Sequence, residues 1–207
     1  MTRGFIVTGT DTGIGKTVIA AGLAGTLGAH YWKPVQAGLD AESDSDTVRR
    51  LTAGRAAVLP EAWRLTTPCS PHEAARRDGV SIDPASLTLP DIDGPLVIEG
   101  AGGVLVPLGE HLLAADLFAA WGCPVILVAR TALGTINHSL LSLEALRARG
   151  IDVAGVLFSG NGNVASEAAI TRFGRCRHLG RLPWLDPLTP AALADAFAHS
   201  VRMDLLA

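Results

Sequence analysis

Aromatic residues are scarce in this chain, with five Phe, four Trp and a single Tyr among 207 residues. The apolar 48% is therefore carried mostly by Ala, Leu, Val and Ile, a mix that suits helices packed on a buried parallel sheet. Cysteine is equally sparse. Cys69, Cys123 and Cys176 are far apart, odd in number and never paired as CxxC, which excludes a disulfide framework or a structural zinc site and points to a reducing cytoplasm. There is no excess of positive charge: 17 Lys and Arg face 20 Asp and Glu, for a net charge of −3. A nucleic-acid partner would need a basic face, so none is expected. Arg172, Arg175 and Arg177, with His178, form a local cluster that reads as a solvated helix end. No apolar run reaches the ~20 residues needed to span a bilayer, so no membrane partner is expected. The first strand is expected almost at Met1, so no signal peptide is expected.

The length suits one α/β domain with a sizeable core. No repeat, low-complexity tract or linker interrupts it, so residues 1–207 read as a single domain. The pattern predicts strands at Gly4–Thr8, His30–Lys33, Pro95–Glu99, Pro124–Ala129, Val153–Phe158 and His178–Leu182. Helices are predicted at Lys16–Leu27, Leu112–Trp121, Thr135–Arg149, Ser166–Phe173 and Ala191–Val201. Glu42–Ala53 reads as an acidic loop running into a helix, and Thr66–Val80 as loop with one short helix. Alternating strands and helices imply a mostly parallel sheet flanked by helices. In such sheets ligands bind beyond the carboxyl ends of the strands. That rule gathers Gly9–Thr17, Lys33–Gly38, Glu99–Gly103, Arg130–Asn137 and Ser159–Asn161 along one edge.

The first of these segments is Gly9-Thr10-Asp11-Thr12-Gly13-Ile14-Gly15-Lys16-Thr17. Its glycines let backbone N–H groups turn inward around phosphate oxygens, and the helix that follows adds its positive N-terminus. Lys16 would reach the β- and γ-phosphates, and Thr17 would hold Mg²⁺ through its hydroxyl. The strict GxxxxGK[ST] pattern wants glycine where Thr10 stands, so this is a variant P-loop with its first glycine one residue early.

Mg²⁺ prefers hard oxygen ligands, and Thr17 alone is not enough. Glu99 follows four apolar residues at the sheet edge, where a charge needs a reason to be. The adjacent Gly100-Ala101-Gly102-Gly103 permits close approach of a ligand. Asp44 and Asp46 lie with Glu42 in an acidic stretch that composition alone reads as a solvated helix N-terminus. Lys33 ends a strand and should project toward the same edge as Lys16, giving two ammonium groups suited to a γ-phosphate and an anionic acceptor.

These residues resemble the dethiobiotin synthetase family. Thr8–Thr17 is similar to its P-loop, including the offset glycine. Lys33-Pro34-Val35-Gln36 is similar to its second-lysine motif, Ser45-Asp46 to its metal-binding acid and Ser70-Pro71-His72 to its middle loop. Glu99–Gly103 with Pro107-Leu108 resembles its glycine loop, and Leu133–His138 and Pro183-Trp184-Leu185 are also typical. The motifs run in family order over most of the chain. The resemblance implies a P-loop NTPase fold and closure of a ureido ring on 7,8-diaminopelargonic acid with CO₂ and ATP, giving dethiobiotin, ADP and phosphate. It implies Lys16, Lys33 and Thr12 as catalytic residues, with Thr12 orienting a carbamate. Thr17, Asp46 and Glu99 would hold Mg²⁺. Gly13, Ile14, Gly15, Lys16, Thr17 and Val18 would cradle the nucleotide, together with Asp46, Glu99, Gly100, Ala101, Gly102, Ser159, Gly160, Pro183, Trp184 and Leu185. Lys33, Ala37, Gly134, Thr135 and Asn137 would bind the substrate, the last three across a homodimer interface. His72 and His138 read as structural.

The chain departs from the family pattern in three places. Ala37 replaces a small hydroxyl residue beside the substrate. Ser159 stands where the family commonly has an asparagine reading the adenine edge, and one hydroxyl cannot make the paired amide contact. The loop at Glu110-His111 is shortened. Three other readings compete. A deviant Walker A positioning ATPase would carry a lysine where Asp11 stands and a basic amphipathic C-terminal helix. An amidotransferase synthetase domain would need a second, glutaminase domain. A non-catalytic nucleotide-binding module would not need Lys33, Asp46 and Glu99 together.

Overall fold

In the computed structural model, which describes residues 4–206, strand β1 (Gly4–Gly9) runs directly into a phosphate-type loop and helix α1 (Lys16–Leu27). The remaining elements are β2 (His30–Trp32), β3 (Val35–Ala37), α2 (Asp44–Thr52), β4 (Ala57–Val58), β5 (Trp63–Leu65) and α3 (Pro71–Arg77). They continue with β6 (Leu96–Gly103), α4 (Ala114–Trp121), β7 (Val125–Arg130), α5 (Thr135–Arg147), β8 (Val153–Ser159), α6 (Val164–Gly174), β9 (His178–Leu182) and α7 (Pro190–Ser200). Seven strands form one sheet in the order β4-β2-β6-β1-β7-β8-β9, and every pairing in it is parallel. All seven carboxyl ends therefore point to the same edge. Among the described residues, no helix is long and apolar enough to cross a membrane.

The central strands are apolar on both faces because both are covered. One face carries Ile6, Ile98, Leu127 and Phe158 against Phe118 of α4, Leu143 and Leu146 of α5 and Ile170 of α6. The other carries Val7, Val97, Ile126 and Leu157 against Ile19 and Leu23 of α1, Val48 and Leu51 of α2 and Phe197 of α7. Each such fully buried side chain contributes about 1.5–3 kcal/mol relative to exposure. The alternation within β6 matters for the site. Ile98 faces one core and Val97 the other, so Glu99, two residues on, lies on the face of Val97 and α1.

Three short strands were not expected. β3 and β5 pair in parallel as a separate two-stranded sheet, and β4 extends the edge beside β2. Two or three residues are too few to show a period of two, and β3 lies just after Pro34, which reads as a break. The strand expected to stop at Glu99 runs on to Gly103, with Gly103 opposite Gly9. Side-chain-poor residues keep the two backbones close here: a Cβ on Gly103 would sit 3.4 Å from the Gly9 carbonyl oxygen.

Candidate active site

The loop between β1 and α1 opens α1 without a side-chain cap. Gly15 occupies the cap position at φ 94°, a left-handed conformation that glycine adopts freely. A Cβ there would also lie 2.6 Å from the Ser159 hydroxyl, so backbone strain and space both exclude a larger residue. The α1 N-terminus faces a cleft of about 740 Å³ lined by Thr12–Val18, Lys33, Ala37, Asp44, Cys69, Glu99 and Trp184, among others. The sheet-edge rule thus brings the P-loop, the second lysine and the β6 glutamate together, as their sequence positions imply.

At the floor of the cleft, charge is concentrated out of water. Lys33 is 4% and Glu99 1% exposed. Lys33 Nζ donates to Glu99 Oε1 at 3.1 Å and pairs with Asp44. Thr17 Oγ1 lies 2.9 Å from Glu99 Oε1 and 3.0 Å from Asp44 Oδ1. The other Glu99 oxygen, Oε2, accepts from the Tyr31 hydroxyl at 2.8 Å. Lys16 Nζ donates to the Asp11 carbonyl at 2.7 Å.

The titration behaviour follows from this packing. Burial lowers the Lys16 pKa to about 8, with the Lys33 ammonium adding to the shift and Glu99 opposing it. Burial also works against charged Lys33, yet Glu99 and Asp44 outweigh it and hold its pKa above the ordinary value. Burial opposes ionisation of Asp44 too, and Lys33 with the Thr17 hydroxyl more than offsets it. The Tyr31 phenol is pushed well up, first by burial and then by the Glu99 charge, so it stays a donor.

The acid that reaches this cluster is Asp44, not Asp46. Ser43 caps α2, its Oγ accepting from Asp46 N at 3.2 Å and donating to Asp46 Oδ2 at 2.7 Å. Asp46 is thereby tied to the cap residue through both its N–H and its carboxylate, and it also pairs with Arg49 at 2.6 Å in solvent. Two residues apart on a helix is about 200° of rotation, so only one of the two aspartates can face the cleft. The pattern Ser43-x-x-Asp46 carried that signal. Gln36 supports the arrangement: its Oε1 accepts from Asp44 N at 3.3 Å, and its amide donates to the Gly38 carbonyl at 3.2 Å.

The donor set fits Mg²⁺. Thr17, Asp44 and Glu99 offer three hard oxygens, the Thr17 hydroxyl lying within hydrogen-bond distance of both carboxylates, beside a loop shaped for phosphate. Among the described residues no group of three or more His, Cys, Asp or Glu side chains converges on a metal-sized site. A cation here would therefore complete its shell with phosphate oxygens and water, as Mg²⁺ does in phosphoryl-transfer sites.

Comparison with known proteins agrees with the geometry. A family model described as an AAA domain matches residues 3–192. The chain is 63% identical to the ATP-dependent dethiobiotin synthetase BioD of Agrobacterium fabrum, over 98% of this chain and 96% of that one. It is 60% identical to the same-named protein of Rhodopseudomonas palustris strain BisB5, over 97% and 95%. The chain belongs to the dethiobiotin synthetase family. Dethiobiotin synthetases are ATP-dependent ligases. More distant likeness shows the fold alone. The cell division ATPase MinD of Pyrococcus furiosus matches with TM-score 0.62 at 15% identity, covering all of both chains. A ParA family ATPase of Chlorobium tepidum matches with TM-score 0.57 at 11% identity, covering 96% of this chain and all of that one.

The other residues singled out by resemblance to dethiobiotin synthetases are distributed unevenly. Thr12 is exposed at the cleft, its N–H donating to Asp11 Oδ1 at 2.7 Å. Ala101 and Gly102 line the cleft beside Val106, and Trp184 stands at its rim, 72% exposed. Gly160 packs under that indole: a Cβ there would be 3.4 Å from Trp184 Nε1. Pro183 and Leu185 flank the tryptophan without lining the cleft. The Ser159 hydroxyl faces Gly15 rather than the cleft. Gly134, Thr135 and Asn137 do not line it either. Thr135 is 2% exposed and its N–H is taken by the Ala132 carbonyl at 3.2 Å, so its side chain is closed to any ligand outside the protomer. Among the described residues, the Ile136 and Asn137 N–H groups have no acceptor. His72 and His138 are exposed and neither lines the cleft, although His72 directly follows Ser70 and Pro71, which do. Cys69, Val106 and Tyr31 belong to the site or its support but carry no motif that marks them in sequence, and Gln36 falls in the second-lysine motif without a role assigned to it.

Proposed function

We propose that this chain closes a ureido ring on 7,8-diaminopelargonic acid with CO₂ and ATP, releasing dethiobiotin, ADP and phosphate. The observation that carries this reading is the meeting of Lys16, Lys33, Thr17, Asp44 and Glu99 at the foot of one cleft. A nucleotide cradle alone needs the first lysine. A second buried lysine held between two carboxylates suits an acceptor that is itself an anion.

In the reaction, one substrate amine adds to CO₂ and loses a proton, giving a carbamate. A carbamate oxygen attacks the γ-phosphorus, and the bond to the ADP oxygen breaks. The second amine then attacks the carbonyl carbon, and phosphate leaves as the ring closes. Such a sequence demands positioning and charge neutralisation more than a protein nucleophile. The backbone of Gly13–Val18 cradles the phosphates, and Lys16 turns from the Asp11 carbonyl to the β- and γ-oxygens. Lys33 steadies the carbamate and the transferring phosphoryl group, and Thr12 orients the carbamate from the cleft mouth. Thr17, Asp44 and Glu99 would hold Mg²⁺, which would supply charge neutralisation for the phosphates. Trp184 and Gly160 offer an apolar shelf for the base. With Ser159 turned toward Gly15, base recognition falls to backbone groups of Ser159–Asn161.

A homodimer completes the reading. Leu133 is fully exposed and Ile136 and Leu141 are also exposed, which supports a partner surface at the start of α5. The Ile136 and Asn137 N–H groups, at a helix N-terminus, suit the substrate's carboxylate held in the partner's cleft. Free thiols at Cys69, Cys123 and Cys176 accord with a reducing cytoplasm.

The test is phosphate release from Mg-ATP and bicarbonate with and without the diamine, repeated with CTP and GTP. Release that depends on the diamine supports the reading, and the nucleotide series reports base selectivity. Release indifferent to the diamine would move the assignment to a positioning ATPase.

A further inference from the structure

Tyr31 is the only tyrosine in the chain, and it is fully buried. Large side chains in this core are otherwise apolar, so a phenol needs a partner here. Its position is set by the sheet. Tyr31 pairs with Val97 across β2 and β6, and it shares a face with Val97, so its ring runs along that face toward Glu99, one side-chain step further. Lys33, two residues after Tyr31, lies on the same face. β2 and the residue that directly follows it thus supply two donors to one carboxylate: Lys33 to Oε1 at 3.1 Å and Tyr31 to Oε2 at 2.8 Å.

The two oxygens of Glu99 are therefore unequal. Oε1 also receives Thr17 and faces the cleft; Oε2 is turned into the core, with the Tyr31 hydroxyl as its partner. A carboxylate with one end tied cannot rotate, and its open end is fixed toward Thr17 and Asp44. We infer that Tyr31 is a positioning residue for the metal–nucleotide site, acting through Glu99 to hold Oε1 in place for the cation. This rests on the ATP and Mg²⁺ reading above and adds to it a residue that touches neither nucleotide nor substrate. Partners that orient a metal ligand typically change metal affinity about 10–100-fold when removed.

The experiment is calorimetric binding of ADP to the whole protein, with Mg²⁺ and in EDTA. Wild type should bind ADP more tightly with Mg²⁺. Tyr31→Phe should lose about tenfold in affinity for Mg-ADP and less than about twofold for ADP in EDTA, because the P-loop is untouched. A ring serving only as packing would leave the Mg²⁺-dependent ratio unchanged, and that result overturns the inference while leaving the nucleotide reading intact. Failure of Mg²⁺ to tighten ADP in the wild type overturns the reading and the inference together. Should Tyr31→Phe not fold, the comparison of Glu99→Gln with the Tyr31→Phe, Glu99→Gln double variant decides. Equal Mg-ADP affinities support action through Glu99, and a further loss in the double overturns it.

Discussion

Lys33 Nζ and Glu99 Oε1 meet at 3.1 Å with side chains only 5% and 1% exposed, so each is the other's replacement for water. Removing one partner of such a pair leaves a buried charge uncompensated, at a cost of about 3–5 kcal/mol. Lys33→Ala is therefore expected to abolish diamine-dependent turnover and also to lower the melting temperature by roughly 6–20 °C. Mg²⁺ should return part of that loss, since a cation among Thr17, Asp44 and Glu99 restores charge balance. Melting curves with and without Mg²⁺ check this; a loss that Mg²⁺ leaves untouched would argue that no cation reaches those carboxylates.

The two aspartates of α2 make opposite predictions. Asp44→Asn removes an anion that contacts Thr17 and Lys33, and it should cut turnover at least about a hundredfold, a loss of about 2.7 kcal/mol in transition-state stabilisation. Asp46→Asn removes a solvent-exposed ion pair and weakens the carboxylate's hold on the Ser43 cap, together worth about 0.5–1 kcal/mol of stability, and should leave turnover within about twofold. Steady-state rates for the two variants, measured side by side, would return the metal to Asp46 if the ranking reversed.

How far the sequence reached can be read from particular residues. The P-loop, Lys33 and Glu99 were legible because each ends or follows a strand, and parallel strands bring their ends together whatever the details of packing. Asp44 is not singled out by resemblance, because Ser43-Asp44 and Ser45-Asp46 both present an acid after a serine. The choice between two acids depends on helix phase, set by where Ser43 starts the helix. Tyr31 and Gln36 were invisible as supports, since a buried polar residue on a short strand declares its partner only across the sheet. Thr135 shows the reverse case: a helix start suggests an anion site, but which N–H groups remain free depends on a turn at Ala132.

Gly22 has a packing role that motif reading passes over. It lies in the middle of α1, where glycine is otherwise unfavourable, and a Cβ there would stand 2.2 Å from the Phe197 ring of α7. Phe197 is fully buried, so the ring has nowhere to move. Gly22→Ala should destabilise by about 1–3 kcal/mol through overpacking, against its better helix propensity. Urea unfolding measures the loss, and Phe197→Leu in the same chain should recover part of it. A neutral or stabilised Gly22→Ala would mean that α1 and α7 separate easily.

The last prediction concerns pH and lies away from the cleft. Glu167, with a side chain 10% exposed, receives His178 Nε2 at 2.9 Å and Asn163 N–H at 3.1 Å and pairs with Arg181 at 3.2 Å. His178 Nδ1 accepts from Gly180 N–H at 3.1 Å, which leaves the ring's proton on Nε2, pointing at Glu167. Burial alone would raise the Glu167 pKa, but these donors outweigh it and hold the carboxyl below its ordinary 4.5. A depressed carboxyl contributes stability that is fully present above the unfolded value and lost as pH falls through the folded one. Glu167→Gln should therefore cost about 1–3 kcal/mol near pH 7, with the gap to wild type narrowing steadily below about pH 4.5. Paired thermal melts from pH 7 down to about pH 3 measure that gap. If it holds constant across the range, Glu167 acts by shape and hydrogen bonding, and its charge contributes nothing to the hold of α6 on β9.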